Sequence, residues 1–164
     1  MKALTVWRPW SDAIVRGPKR VENRTWPPFV VGGCIAIHAG KRYQDLDNAS
    51  EWPWPDGFVP PHEVDSPTGI VGVARLVGAL DVRHGRRYLQ RADDADRARL
   101  DALDRDPWWA GPVGWLLDDV VAIEPVACRG AMGLWTVPPD IAAEVVRRVE
   151  AAGMAASEQP RRRG

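Results

Sequence analysis

The chain has 164 residues, with 22 Lys and Arg against 22 Asp and Glu and a formal net charge of zero. That length suits one domain with a sizeable core. The missing basic excess excludes a protein that clamps long duplex nucleic acid through many phosphates. No apolar run approaches the ~18 residues of a membrane span, and Trp7-Arg8-Pro9-Trp10 interrupts any signal-peptide core. A cytoplasmic chain with no membrane partner, monomeric rather than oligomeric, is the expectation. Cys34 and Cys128 stand far apart, too few for a four-ligand metal site and outside any disulfide framework. His38, His62 and His84 share no paired spacing, so neither a metal nor a cofactor is predicted.

Residues 3–7 form the first predicted strand. Pro9 suits the first turn of a helix, and Trp10, Ala13 and Ile14 recur at helical spacing up to Arg16. Ser11 reads as a helix-start cap, Gly17 as the C-cap, and Pro18 prevents continuation. Val21 to Trp26 is extended and closed by Pro27-Pro28. Cys34-Ile-Ala-Ile-His38 is a short apolar strand. Residues 44–67, rich in Pro, Asp and Trp, read as a long surface loop in which Trp52 and Trp54 could form a lid. Gly69–Gly78 is a buried central strand broken once by Arg75.

Residues 93–105 are predicted as an exposed helix with i,i+4 pairs Asp93/Arg97 and Asp101/Arg105. In the strand from Val113 to Glu124, alternation places Trp115, Leu117, Val121 and Ile123 on one face. Gly133–Val137 is a last short strand. Pro138-Pro139-Asp140 opens a helix striped by Ile141, Val145 and Val149 and stopped by Gly153. The expected organisation is one domain over 1–153 and a disordered basic tail over 154–164. The fold class is mainly β with peripheral helices (α+β), a small closed or nearly closed β-barrel.

Chemistry concentrates between Leu4 and Trp26. Residues 1–50 hold eight cations (Lys2, Arg8, Arg16, Lys19, Arg20, Arg24, Lys41, Arg42) against four acids (Asp12, Glu22, Asp45, Asp47). Lys19 lies in the turn between helix and strand, where its ammonium can swing into a cleft as a phosphate or carbonyl grip. Glu22 and Arg24 are two apart on an extended segment and leave the same face. A carboxylate beside a guanidinium can read the donor and acceptor edge of a base, with Arg taking phosphate in a fork. Trp7, Trp10 and Trp26 are the candidate stacking surfaces, Trp10 foremost, while Trp115 and Trp135 suit the core. His38, at a strand end, is a candidate general base within reach of Glu22. Lys41 and Arg42 extend the positive rim, and Arg129-Gly130 is a candidate far wall.

With Pro9-Trp10, then Gly17-Pro18-Lys19-Arg20-Val21-Glu22-Asn23-Arg24 followed by Trp26, the chain resembles the ASCH-domain family of PUA-like small β-barrels. The shared pattern is an apolar strand, a Pro-Trp pair, a short helix and Gly-x-Lys-x-x-Glu-x-Arg. Cys34–Ala39, Gly69–Gly78, the Trp115 strand leading to Pro125-Val126, and Arg129-Gly130 before Gly133-Leu134-Trp135 extend the resemblance to about residue 140. It implies a cleft lined by Lys19, Glu22 and Arg24 that binds RNA, another single-stranded nucleic acid or a nucleotide, with Trp10, Trp26, His38 and Lys41 as further ligand contacts. The alternative it carries is a hydrolase, a ribonuclease or an amidohydrolase of modified nucleosides, with Lys19, Glu22 and His38 as catalytic groups. One branch of the family hydrolyses acetylated cytidine with a Lys, a Thr three positions later and a distant Glu. Here Lys19 matches the Lys, Glu22 stands at the Thr position, and the distant Glu has no clear counterpart.

Overall fold

The computed structural model describes residues 1–44, 53–54, 56–59, 61–90 and 93–158. Trp52, the acids Asp45 and Asp47, and the tail arginines Arg161 to Arg163 lie outside them. β1 (Lys2–Arg8) buries Leu4 and Val6 in one core cluster and Ala3 in a second. This is the expected result of a period of two in a strand covered on both sides. α1 (Trp10–Val15) is buried along its whole length.

Pro9 takes the N-cap position of α1, so Ser11 falls inside the first turn. Its hydroxyl is buried and, among the described residues, has no hydrogen-bond partner, so it does not cap. Arg16 is the C-cap, and Gly17 follows it because a Cβ there would come within 2.7 Å of the Ala13 carbonyl oxygen. Arg20 Nη1 gathers the carbonyls of Ile14, Gly17 and Lys19 at 3.0–3.1 Å, satisfying the helix end.

β2 (Val21–Arg24), β3 (Cys34–Tyr43), β4 (Gly69–Asp81), β5 (Arg86–Leu89), β6 (Val113–Val126) and β7 (Leu134–Thr136) complete one seven-stranded sheet in the order β2-β6-β4-β3-β1-β7, with β5 on the far end of β4. Pairing is antiparallel except between β1 and β3, which run parallel because α1 and β2 intervene. The path has two ends, β2 and β7, so the sheet curls into a half-barrel and does not close. β5 carries no apolar alternation in its sequence, Arg-Arg-Tyr-Leu; its register against Gly78–Asp81 makes it a strand.

The alternation expected in β6 is interrupted. Val73 pairs Val121 and Arg75 pairs Asp118, two steps on β4 against three on β6, and Asp119 takes φ 46°. The extra residue flips the parity. Trp115 and Leu117 therefore pack in the first core cluster, Val121 and Ile123 in the second. Arg75, the break in the apolar run, is held by Asp96, Asp118 and Asp119 at 2.7–3.3 Å.

α2 (Asp94–Asp101) is shorter than expected and passes into a 3-10 turn at Leu103–Arg105. Asp93 caps it by accepting from the Asp96 amide at 2.8 Å, and Asp101 pairs with Arg87 of β5 rather than with Arg105. Leu100 and Leu103 enter the first cluster. α3 (Pro139–Glu158) lays Ile141, Val145 and Val149 on the second cluster as predicted, but runs through Gly153 instead of stopping there. No helix among the described residues is long and apolar enough to cross a membrane. Cys34, exposed, and Cys128, half-buried, are free thiols.

Candidate functional site

The turn after α1 and the strand that follows it place three ionic groups in one row. Lys19 Nζ donates to Glu22 Oε2 at 3.0 Å and to the Val21 carbonyl. Arg24 Nη2 reaches Glu22 Oε1 at 2.9 Å and the Thr5 carbonyl at 2.7 Å. The side chains of Lys19 and Glu22 are 3% and 8% exposed, that of Arg24 21%. Lys19 is therefore locked into the wall rather than swinging freely. Burial pushes its amine below the ordinary lysine value, and the Glu22 carboxylate works against that shift.

These groups line a cavity of about 470 Å³. Val6 and Trp7 of β1, Trp26 after β2, Gln44 after β3, and Ala110 and Gly111 before β6 also line it. Asn23, which also lines the cavity, donates through Nδ2 to the Trp108 carbonyl at 2.8 Å and accepts at Oδ1 from the Ala110 amide at 2.9 Å. That pair of bonds holds the Trp108–Ala110 segment against β2.

The aromatic residues divide. Trp7 is 43% exposed, and the Arg42 guanidinium lies 3.7 Å from its ring centroid. Trp26, half-buried, stacks on Phe29 at 6.2 Å and meets the edge of Trp115 at 4.8 Å. Trp10, the foremost stacking candidate, touches the cavity, but its ring face is stacked on Trp54 at 5.6 Å and 5°. Its Nε1 donates to Gln44 Oε1 at 2.7 Å. Trp54 continues onto Phe58 and meets Trp108 edge-on, so it packs against the core and does not line the cavity. Among the described residues, Trp7 and Trp26 line the cavity without a parallel-stacked tryptophan on them.

His38 and Lys41 are not brought to this cleft. Both line a separate cavity with Arg129 and Gly130, so His38 does not share a site with Glu22, and Arg129-Gly130 walls that second space instead. The reason is pairing: His38 sits opposite Thr5 in the parallel β1–β3 register, upstream of Val6 and Trp7. Arg8, one of the eight cations of residues 1–50, has a structural place. Its buried guanidinium donates to the carbonyls of Gly40, Lys41, Glu63 and Ser66 at 2.7–2.9 Å and staples β1 to the segment before β4. Gln44, Ala110 and Gly111 were not foreshadowed, since nothing in a proline-rich loop or a pre-strand turn marks which residue meets a distant wall. Among the described residues, no three His, Cys, Asp or Glu side chains are grouped to hold a metal ion.

No curated protein matches the chain. Among solved structures, the crystal structure of ASCH from Zymomonas mobilis is 18% identical, with a TM-score of 0.47, covering 89% of this chain and 93% of that one. A single-residue mutant of the same protein is 17% identical, with a TM-score of 0.46, covering 89% and 94%. The family model of the ASCH domain matches residues 4–103, from β1 through α2 and short of β6. With most of its length inside that match, and with Lys19, Glu22 and Arg24 there too, the chain belongs to the ASCH domain family.

Proposed function

We propose that the chain binds single-stranded RNA or a nucleotide, taking one unstacked base into the cleft between Trp7 and Trp26. The observation that carries this reading is the buried row Lys19–Glu22–Arg24 in the cavity wall. Lys19 and Arg24 hold the Glu22 carboxylate at a fixed orientation, and each carboxylate oxygen retains acceptor capacity. Arg24 Nε is buried and has no hydrogen-bond partner among the described residues, so an acceptor and a donor stand side by side. Such a pair suits the polar edge of a base, and RNA recognition commonly targets splayed bases of this kind. Trp7, 43% exposed and with the Arg42 guanidinium over one face of its ring, supplies a stacking surface worth ~1–3 kcal/mol per base. Neutral net charge and a cleft of this size suit a base outside a duplex.

Titration of defined single-stranded RNA, duplex RNA and free nucleotides against wild type and Trp7→Ala tests the reading. Single strands should bind more tightly than duplex, and Trp7→Ala should weaken binding ~5- to 150-fold, the stacking term expressed at ~1.4 kcal/mol per tenfold. No affinity at low salt, or a preference for duplex, refutes it.

The hydrolase reading keeps one specific support, the Lys19 amine whose proton burial has loosened beside Glu22. His38 is removed as its proton carrier by its place in the other cavity. Incubation with short RNA and with acylated nucleosides separates the two readings. Products that vanish in Lys19→Ala favour the enzyme, and binding without turnover favours the module.

A further inference from the structure

Thr5 and Trp7 leave the same face of β1, two residues or ~7 Å apart along an extended strand, yet they open onto different cavities. The cavity at Thr5, of about 930 Å³, is also lined by His38, Lys41, Arg129 and Gly130, and among the described residues no carboxylate lines it. Lys41 and Arg129 are exposed, and no carboxylate among the described residues pairs with either. A bound anion would find two uncommitted cations there.

The floor is polar in a specific way. His38, 4% exposed, meets the Cys128 carbonyl through Nε2 at 3.2 Å. A carbonyl only accepts, so the proton belongs on Nε2, and Nδ1 is left as an acceptor. That Nδ1 is buried and has no hydrogen-bond partner among the described residues. Only glycine fits beside that edge: a Cβ at 130 would lie 2.5 Å from His38 Cε1, 2.7 Å from Nδ1 and 2.8 Å from Thr5 Oγ1. Burial lowers the imidazole pKa against the opposing backbone hydrogen bonds, which favours the neutral, accepting form.

We propose that this second cavity is the subsite for the neighbouring nucleotide of a bound single strand, with Lys41 and Arg129 holding its phosphate and His38 Nδ1 accepting from one of its N–H or O–H groups. The proposal rests on the binding function of the first cleft and extends it from one nucleotide to two. The Thr5–Trp7 spacing on one strand face puts the two cavities next to each other, and the Arg42–Trp7 pair stands beside the first of them.

The test is equilibrium binding of a short single-stranded RNA and of a mononucleotide over a range of salt concentrations. Wild type is compared with Lys41→Gln/Arg129→Gln and with a control of equal charge loss, Arg86→Gln/Arg105→Gln, whose residues line neither cavity. All four positions are exposed, and thermal melts verify that each variant folds. For the RNA, losing two phosphate contacts should flatten the slope of log K against log salt by ~1.4. Mononucleotide affinity should stay within about twofold of wild type, and the control should keep the wild-type slope. An unchanged slope in Lys41→Gln/Arg129→Gln overturns the second subsite while the first cleft stands. An equal change in the control, or an equal loss of mononucleotide affinity, overturns it as well. If wild type binds neither ligand, the function of the first cleft falls and this proposal with it.

Discussion

Glu22→Gln preserves the shape of the side chain and deletes the charge that faces Lys19 Nζ at 3.0 Å. The ammonium would then lie in a wall where its own side chain is 3% exposed, facing an amide and the Val21 carbonyl. Breaking a buried ion pair by removing one partner costs ~3–5 kcal/mol. An independent ceiling comes from letting Lys19 shed its proton. At pH 7, ~3.4 units below an ordinary lysine pKa, deprotonation costs ~4.6 kcal/mol at ~1.36 kcal/mol per unit. The two figures agree, so urea unfolding at pH 7 should show a loss of ~3–5 kcal/mol at unchanged m-value.

The pH dependence has a definite sign. A lysine whose folded pKa is lowered binds fewer protons folded than unfolded between its folded pKa and its unfolded value of 10.5, so stability rises with pH across that window. Removing the carboxylate that opposes the shift opens the window at lower pH. From pH 7 to pH 9 the variant should therefore regain up to ~2.7 kcal/mol relative to wild type. Lys19→Met in the Glu22→Gln background should recover most of the loss, because a packed apolar pair commonly matches a buried ion pair. A Glu22→Gln protein within ~1 kcal/mol of wild type, with the same pH slope, would refute the buried contact.

Gly114→Ala should destabilise by at least ~1–3 kcal/mol, since its Cβ would lie 2.1 Å from Cζ3 of the Trp109 ring and an overpacked aromatic has little room to yield. The readout is a melting temperature lowered by ~2–4 °C per kcal/mol, and an unchanged melt contradicts the packing. Asp12 is buried, and desolvation raises its carboxyl above the usual value despite the Ser66 hydroxyl at 2.7 Å and the nearby Arg16 and Arg8. The folded chain thus binds more protons than the unfolded one just above pH 3.8, and wild type loses stability as pH rises through that window. Asp12→Asn removes the term, so urea midpoints from pH 4 to pH 7 should move in the variant's favour; movement the other way would show that Asp12 is stabilised as a carboxylate.

What could be read from the chain was local. The spacing of Trp10, Ala13 and Ile14 marked α1, the period of two between Glu22 and Arg24 put both on one face of β2, and Ile141, Val145 and Val149 marked the buried stripe of α3. What escaped depends on pairing between distant segments. β5 is a strand only because β4 offers it an edge. The parity flip in β6 follows from one left-handed residue, Asp119, in a run that alternates acceptably without it. Arg8 looks like one more cation of a basic rim until the carbonyls it gathers from residues 40–66 are known. His38 ends an apolar strand in either reading, and only its register opposite Thr5 assigns it to one cavity.

The same register explains why so short a motif can build a cleft. β2 brings Glu22 and Arg24 to the cavity, while Asn23 between them bonds Trp108 and Ala110. One strand of four residues therefore presents two of the three ionic groups and anchors another segment of the cavity lining. Lys19, fixed by its own amide to the Ala13 carbonyl at 3.1 Å, ties that row to the end of α1. Arg24, donating to the Thr5 carbonyl, ties it to β1. Because the two cations that grip Glu22 are bonded to different elements, the carboxylate keeps its orientation without a ligand. A base entering beneath Trp7 would meet donors and an acceptor already in place, with little side-chain entropy left to lose.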